Sequence, residues 1–390
     1  MSARPSTHKA MASSVRTGAK TTLLFAAALA SVACDLVSPD ARSVSAAWQT
    51  PLGGRNGIPN GAHASDSSSL YILAFSDSAR IMRIDALTGR IVWRVPLRPG
   101  TTLPQKLIAD GGQLFEASAG GVVAYRTADG TVQWERKLPE RVPGQISTVP
   151  AVDEQTIYVA DHQGAAWAVD RSDGVVRWRW EDSTGAATRP VIFSVGAVDG
   201  TIYLVGRISG ANAGGDQGVV IALDPMTGTE RHRFVTPETA SDYRSVRSDG
   251  RGGLLLGNLA RSGVDALDPR TWTFRWRVSR PNRVVFPGSD LAVSGNDLFA
   301  GWEDIVAIDL ATGRERWSRR SRGTTYSTVV CGQQVVSQHF NLSFFDRATG
   351  RLEAFNDWQD GQFPTSDLLE DGERVYAIST NFAYAFPCRR

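Results

Sequence analysis

The sequence predicts an all-β fold, one four-stranded antiparallel unit repeated eight times around a closed ring. Three observations predict it. A short phrase recurs seven times along the chain. Short apolar strands alternate with polar turns at a spacing of about forty residues. The first strand after the leader has the pattern of an outer strand, yet no hairpin precedes it.

The phrase reads Asp85-Ala-Leu-Thr88-Gly89, with Trp93 four residues on. It returns at Gly130 with Trp134, Gly174 with Trp178, Gly228 with His232, Trp272 with Trp276, Gly313 with Trp317 and Gly350 with Ala354. The residue types have physical reasons. A tight hairpin needs one residue at positive φ, and glycine adopts it without steric cost. The leading Asp accepts hydrogen bonds from turn N–H groups, and the Thr does so more weakly. The tryptophan falls on the outer strand, where it covers a neighbouring sheet. Truncating such a residue costs roughly 3–5 kcal/mol. A unit built this way cannot bury its own face alone and needs a neighbour.

Upstream of each hairpin lies a turn and a short apolar strand, as in Asp153–Tyr158 or Asp199–Tyr203. Earlier still comes a strand rich in small residues, such as 146–152. Four short strands per unit is the layout of a β-propeller blade. The last unit ends near Phe386 with three strands, and 46–52, around Trp48, supplies the fourth. That closure removes both sheet edges. Trp48, Trp93, Trp134, Trp178, Trp276 and Trp317 are the expected docking residues. His232, Trp272 and Ala354 (beside Phe355) read as decay of individual units. An insertion at 207–217 lengthens a loop of the fourth blade and reads as a mobile tip, with a partner contact as the other reading.

The ends of the chain suggest export. Residues 1–33 carry four basic residues and no acid, and an apolar run spans 23–33. That run is too short to cross a bilayer but fits a signal peptide. Without it, 38 basic and 40 acidic residues remain, a net charge of −2. Acids interspersed along the repeats argue against a nucleic-acid partner. The expected organisation is a signal peptide at 1–33, a tether at 34–45 and the propeller at 46–390, as a monomer. Ser31-Val-Ala-Cys34 resembles a bacterial lipobox, which makes Cys34 the lipidation site, with Ser31 where Leu is usual. Ordinary cleavage with Cys34 as a bystander is the other reading. Asp35 resembles an inner-membrane retention signal, so inner and outer membrane are both open. Lipidation leaves Cys331 and Cys388 as a pair. Strand directions put both at one face of adjacent blades. A bridge there would pin the ring and stabilise it by about 3–4 kcal/mol; two buried thiols are the alternative.

The repeated phrase resembles the tryptophan-docking (PQQ-like) repeat of quinoproteins, over 46–390. Two groups carry it. The outer-membrane assembly lipoprotein BamB and its relatives are bare eight-bladed propellers, and the resemblance implies a scaffold that binds a partner of a membrane assembly complex through loops at one face. The quinone-dependent alcohol and sugar dehydrogenases are longer, stack PQQ on a disulfide between adjacent cysteines and hold Ca²⁺ through carboxylate and amide oxygens. This chain has no adjacent cysteines. Asp77, Asp161 and Asp304 are scattered over separate blades and read as solvated turns. No two of its five histidines have metal-ligand spacing. A basic run at 314–322 reads as an outer strand whose arginine stems cover the blade, or as a contact for anionic lipid or an acidic partner. The expected function is therefore a non-catalytic, exported, lipid-anchored interaction protein facing the periplasm, with no metal or PQQ. A quinone-dependent dehydrogenase and an accessory or sensor subunit of a larger membrane complex are the alternatives.

Overall fold

The computed structural model describes residues 41–53, 63–75, 78–97, 106–118, 121–139, 148, 150–185, 189–209, 215–280, 291–320, 325, 327–339, 341–358, 367–379 and 381–389. Within them the chain forms eight antiparallel four-stranded blades. Blade 1 comprises His63–Ser65, Ser69–Phe75, Ala79–Asp85 and Ile91–Pro96. Blade 2 comprises Lys106–Asp110, Gln113–Ser118, Gly121–Arg126 and Val132–Lys137, and blade 3 comprises Ala151–Val152, Thr156–Ala160, Ala165–Asp170 and Val176–Glu181. Blade 4 has the longest first strand, Pro190–Val198, followed by Thr201–Ile208, Gln217–Leu223 and Glu230–Val235. Blade 5 is Tyr243–Ser248, Leu254–Asn258, Gly263–Asp268 and Thr273–Ser279; blade 6 is Ala292–Ser294, Asp297–Gly301, Asp304–Asp309 and Glu315–Arg320. Blade 7 holds Ser327–Cys331, Gln334–Gln338, Leu342–Asp346 and Leu352–Asn356. Blade 8 takes Leu369–Glu370, Arg374–Ile378 and Phe382–Pro387 from the end of the chain and Trp48–Pro51 from its beginning.

The closure is antiparallel, with Trp48 opposite Ala385 and Pro51 opposite Phe382. A further strand precedes it. Arg42–Ser43 pairs in parallel with the outer strand of blade 7, which makes that sheet five-stranded. The Val44 N–H continues the pairing to the Phe355 carbonyl at 2.8 Å.

No blade owns a core. The buried apolar residues form clusters shared between neighbouring blades: blades 3 and 4 share Trp178, Ile192, Leu204 and Ile221, and blades 8 and 1 share Leu70, Met82, Tyr376 and Ala383. Each sheet is apolar on both faces, so every blade must be flanked to be stable.

The tryptophans hold these interfaces. The Trp134 indole N–H donates to the Arg171 carbonyl in the turn of the next blade at 2.8 Å. Trp48, Trp93, Trp178, Trp276 and Trp317 do the same to Ala86, Thr127, Pro225, Leu310 and Arg347, at 2.8–3.1 Å. The ring lies flat on the turn glycine. A Cβ at Gly174 would stand 2.6 Å from Trp134 Cε3, and one at Gly350 would stand 2.6 Å from Trp317 Cδ2. Glycine is thus required twice, by its positive φ and by the ring above it. The turn itself is held by its Asp: Asp309 accepts from the Thr312 N–H at 2.9 Å and hydroxyl at 2.8 Å. The Arg316 guanidinium and these bonds pull the Asp309 pKa down to about 2.

Two departures from the repeat are not independent decay. Trp272 stands at the glycine position of blade 5 with φ +56°, and His232 stands at the tryptophan position of blade 4. The two rings stack on each other at 4.0 Å across the same interface. Trp272 also meets Tyr203 of blade 4, where blade 3 sets its own Trp178 against Tyr158. The large ring has moved to the turn and the small one to the strand. Ala354 has a different cause. Blade 8 is split between the two chain ends, so no hairpin turn exists there to receive an indole. Its third strand runs into the chain terminus, where Cys388 is bonded to Cys331 of blade 7.

Two further expectations need correction. Asp161 and Asp304 are not solvated turn residues; both are buried. Asp161 is held by the N–H groups of Gln163 and Ala165, because the loop that carries it folds inward. Asp304 opens the third strand of blade 6 and accepts from Arg280 of blade 5. The insertion of blade 4 is shorter than 207–217, since Arg207, Ile208 and Gln217 lie in strands. Asp77 and the centre of that insertion lie outside the described residues.

Two outcomes are expected. His232→Trp alone overfills its interface and costs about 1–3 kcal/mol. The double variant H232W/W272G rebuilds the ordinary docking pair, relieves a left-handed tryptophan worth about 1–2 kcal/mol, and exceeds either single variant in urea denaturation. Replacing Cys331 and Cys388 by Ser lowers stability by about 4 kcal/mol in the chain-entropy account. Hydrogen exchange then rises first in Leu352–Asn356 and Phe382–Pro387.

Candidate interaction surface

The docking turns fill one face of the ring. The opposite face carries the loops between second and third strands and the connections between blades. There the side chains are not committed to the repeat. Among the described residues, the densest convergence on that face lies over blades 3 to 5.

It begins with two β-bulges. The ladder of blade 4 shifts register between Ile192 and Ser194, which leaves Phe193 as the extra residue. The ladder of blade 5 shifts between Tyr243 and Ser245, which leaves Arg244 as the extra residue. Both bulges fall on innermost strands of adjacent blades, and bulges re-aim side chains near functional sites. Here they aim two residues at each other: the Arg244 guanidinium carbon lies 3.6 Å from the Phe193 ring centroid. Arg207 approaches the same ring at 5.8 Å, and His162 of blade 3 meets it edge-on at 5.3 Å.

Acids hold the arginines in place. Asp242, buried, accepts from Arg244 at 2.6 Å and from Arg207 at 3.3 Å. Asp216 accepts from Arg207 at 2.8 Å. Burial, then the Arg244 charge, push the His162 pKa below its ordinary value. Beneath the cluster, buried Asp265 gathers Tyr243 Oη at 3.0 Å, Asn258 Nδ2 at 3.1 Å and Arg277 Nη2 at 3.0 Å. This network fixes the floor on which Arg244 stands. Burial, then the Asp265 charge, raise the Tyr243 pKa strongly, so the phenol stays a donor.

An arginine, an aromatic ring and a neutral imidazole on a rigid frame suit protein recognition, where aromatic residues and arginine dominate the binding energy. The donor set does not suit a quinone or a hard cation. The one disulfide among the described residues joins residues 57 apart rather than adjacent cysteines. Asp161 and Asp304 lie on separate blades and are engaged by local donors. No group of three or more metal-ligating side chains converges among the described residues.

The residues expected from the sequence occupy other places. The six tryptophans dock blades, Cys331 and Cys388 are bonded to each other, and Cys34 lies outside the described residues. Arg207 opens the insertion that the sequence offers as a partner contact, whereas Phe193, Arg244 and Asp242 carry no mark in the repeat. The one signal in the sequence was the long first strand of blade 4, whose apolar alternation breaks at 192–194.

A profile of the PQQ_2 family, outer membrane protein assembly factor BamB, matches residues 33–251, 146–351 and 260–386. The chain belongs to this family. BamB of Yersinia pestis is 24% identical over 343 residues, 81% of each chain. BamB of Nitrosomonas eutropha is 26% identical over 163 residues, 42% of this chain and 36% of that one. The serine/threonine-protein kinase AfsK of Streptomyces griseus is 30% identical over 126 residues, but only 16% of the kinase is spanned. Among solved structures, BamB of Moraxella catarrhalis superposes with a TM-score of 0.63 at 15% identity, covering 89% of this chain and 98% of that one. The quinohemoprotein alcohol dehydrogenase of Comamonas testosteroni superposes at 0.68 and 12% identity, covering 90% and 78%. At such identities the likeness shows the fold, which BamB-family propellers and dehydrogenases share.

His162 gives this surface a pH signature. Its folded pKa is depressed, so its contribution to stability is complete above the unfolded value of about 6.5. That contribution is lost as pH falls through the folded value. Urea midpoints at pH 7.5 and pH 5.0 are expected to differ, and His162→Asn to narrow the difference.

Proposed function

We propose that this BamB-family propeller is a non-catalytic, exported scaffold. Lipid on Cys34 tethers it to a membrane, and blades 3 to 5 hold a protein partner from a membrane assembly complex. The observation that carries the reading is the junction of Phe193 and Arg244, two bulge residues stacked at 3.6 Å on a face free of docking turns. Family membership supports the kind of partner, since relatives are named outer membrane protein assembly factors. The Cys331–Cys388 bond supports an oxidising compartment.

A photo-crosslinking residue placed at Phe193 tests the partner. Crosslinks to a component of the β-barrel assembly machinery support the reading, and Arg244→Glu should then reduce them by about tenfold or more. Crosslinks only to components outside that machinery, or none from a folded protein, would sink it. Labelling with radioactive palmitate tests the tether. Incorporation should vanish in Cys34→Ala, and an unlabelled wild-type chain rejects the lipid anchor.

A further inference from the structure

The interface between blades 8 and 1 differs from its neighbours at the outer rim. The position after the docking tryptophan is arginine in four blades: Arg94, Arg179, Arg233 and Arg277. Three of these meet an acid. Arg179 pairs with Glu181 at 2.8 Å, Arg233 with Asp182 of the preceding blade at 2.8 Å, and Arg277 with Asp265 at 3.0 Å. At the place corresponding to Asp182, four residues after the tryptophan, blade 8 has Leu52. Among the described residues Arg94 has no acidic partner.

Arg80 adds a second guanidinium. Met82 lies opposite Arg94 in the ladder of blade 1, and Arg80 is two residues along the strand on the same face. Among the described residues the one hydrogen bond of the Arg80 side chain is to the Ser78 hydroxyl, at 3.2 Å. Both arginines line a cavity of about 360 Å³ whose apolar wall includes Leu52, Met82 and Ala74. The cavity shares Pro51 and Arg94 with a wider groove of about 710 Å³ along the outer strands of the two blades. Among the described residues no carboxylate lines either space. Two guanidinium groups beside an apolar wall are complementary to a molecule that is anionic at one end and apolar at the other.

We propose that this cleft binds an anionic phospholipid. Its phosphate lies against Arg80 and Arg94, and its glycerol-acyl part lies on Leu52, Pro51 and Met82. The site is on the rim, away from Phe193 and Arg244, and does not depend on the partner-binding role. Lipidation of Cys34 is not required for it.

The test is calorimetric titration of the whole chain, purified in a maltoside detergent, with dihexanoyl phosphatidylglycerol. Saturable one-to-one binding is expected. It should weaken by about tenfold or more in R80Q/R94Q, the loss of charge-assisted contacts. Inorganic phosphate and an uncharged diacylglycerol should each bind at least about tenfold more weakly, since each supplies one half of the complementarity. Arg94 is exposed, so the single variant R94E keeps the fold intact and should weaken binding as well. Absence of saturable binding overturns the proposal. So does undiminished affinity in R80Q/R94Q or R94E, or equal affinity for phosphate alone or for diacylglycerol alone.

Discussion

The contact of an indole with a glycine turn is the constraint on which the rest of the ring depends. It joins two requirements in one place. The turn must reach a left-handed backbone conformation, and the neighbouring blade must find a flat, Cβ-free surface to lie against. One residue type meets both. The indole N–H then satisfies a turn carbonyl that the hairpin leaves unpaired, so a large apolar ring is buried with its polar atom bonded. Each such contact ties one blade to the next, and the core is distributed over the interfaces rather than held within sheets. Stability is therefore a property of neighbours.

The exceptions show how strict the constraint is. Where the turn residue is Trp272, the partner has shrunk to His232, and the two rings keep the contact by stacking. Where no turn exists to receive an indole, the slot is Ala354 and a covalent bond stands at that seam. Arg389 adds ion pairs there, with Asp346 at 3.0 Å and with Glu353. Arg42–Ser43 covers the outer edge of the same blade. An interface that loses its aromatic latch is held by other means.

The periodic part of the architecture was legible in the sequence because it is local. Asp, Thr, Gly and Trp at fixed offsets describe one hairpin and the residue that covers the next, and the count of slots gives the blades. Even the split eighth blade could be read, since Trp48 has the outer-strand pattern without a hairpin. The partnership of His232 and Trp272 was not legible, because it spans an interface between units forty residues apart. The candidate interaction surface was hidden for a related reason. Phe193 and Arg244 are bulge residues, and a bulge is seen only in the pairing of two strands. Their charges and rings come from three blades, so no segment carries the pattern alone. The carboxylates Asp161 and Asp304 misled in the opposite direction: both read as turn residues, yet Asp161 lies in a loop that folds inward and Asp304 opens a strand and meets Arg280 of the preceding blade.

The split blade also imposes an order of assembly. Trp48–Pro51 and its pairing partner Phe382–Pro387 are separated in sequence by seven blades. Seven blades can stack while the chain is still emerging, because each needs only its predecessor. The eighth cannot form until Phe382–Pro387 has been made, and until then Trp48–Pro51 has no ladder to join. Topology thus works as a timer, since the ring cannot shut before the latest strand of its eighth blade has been made.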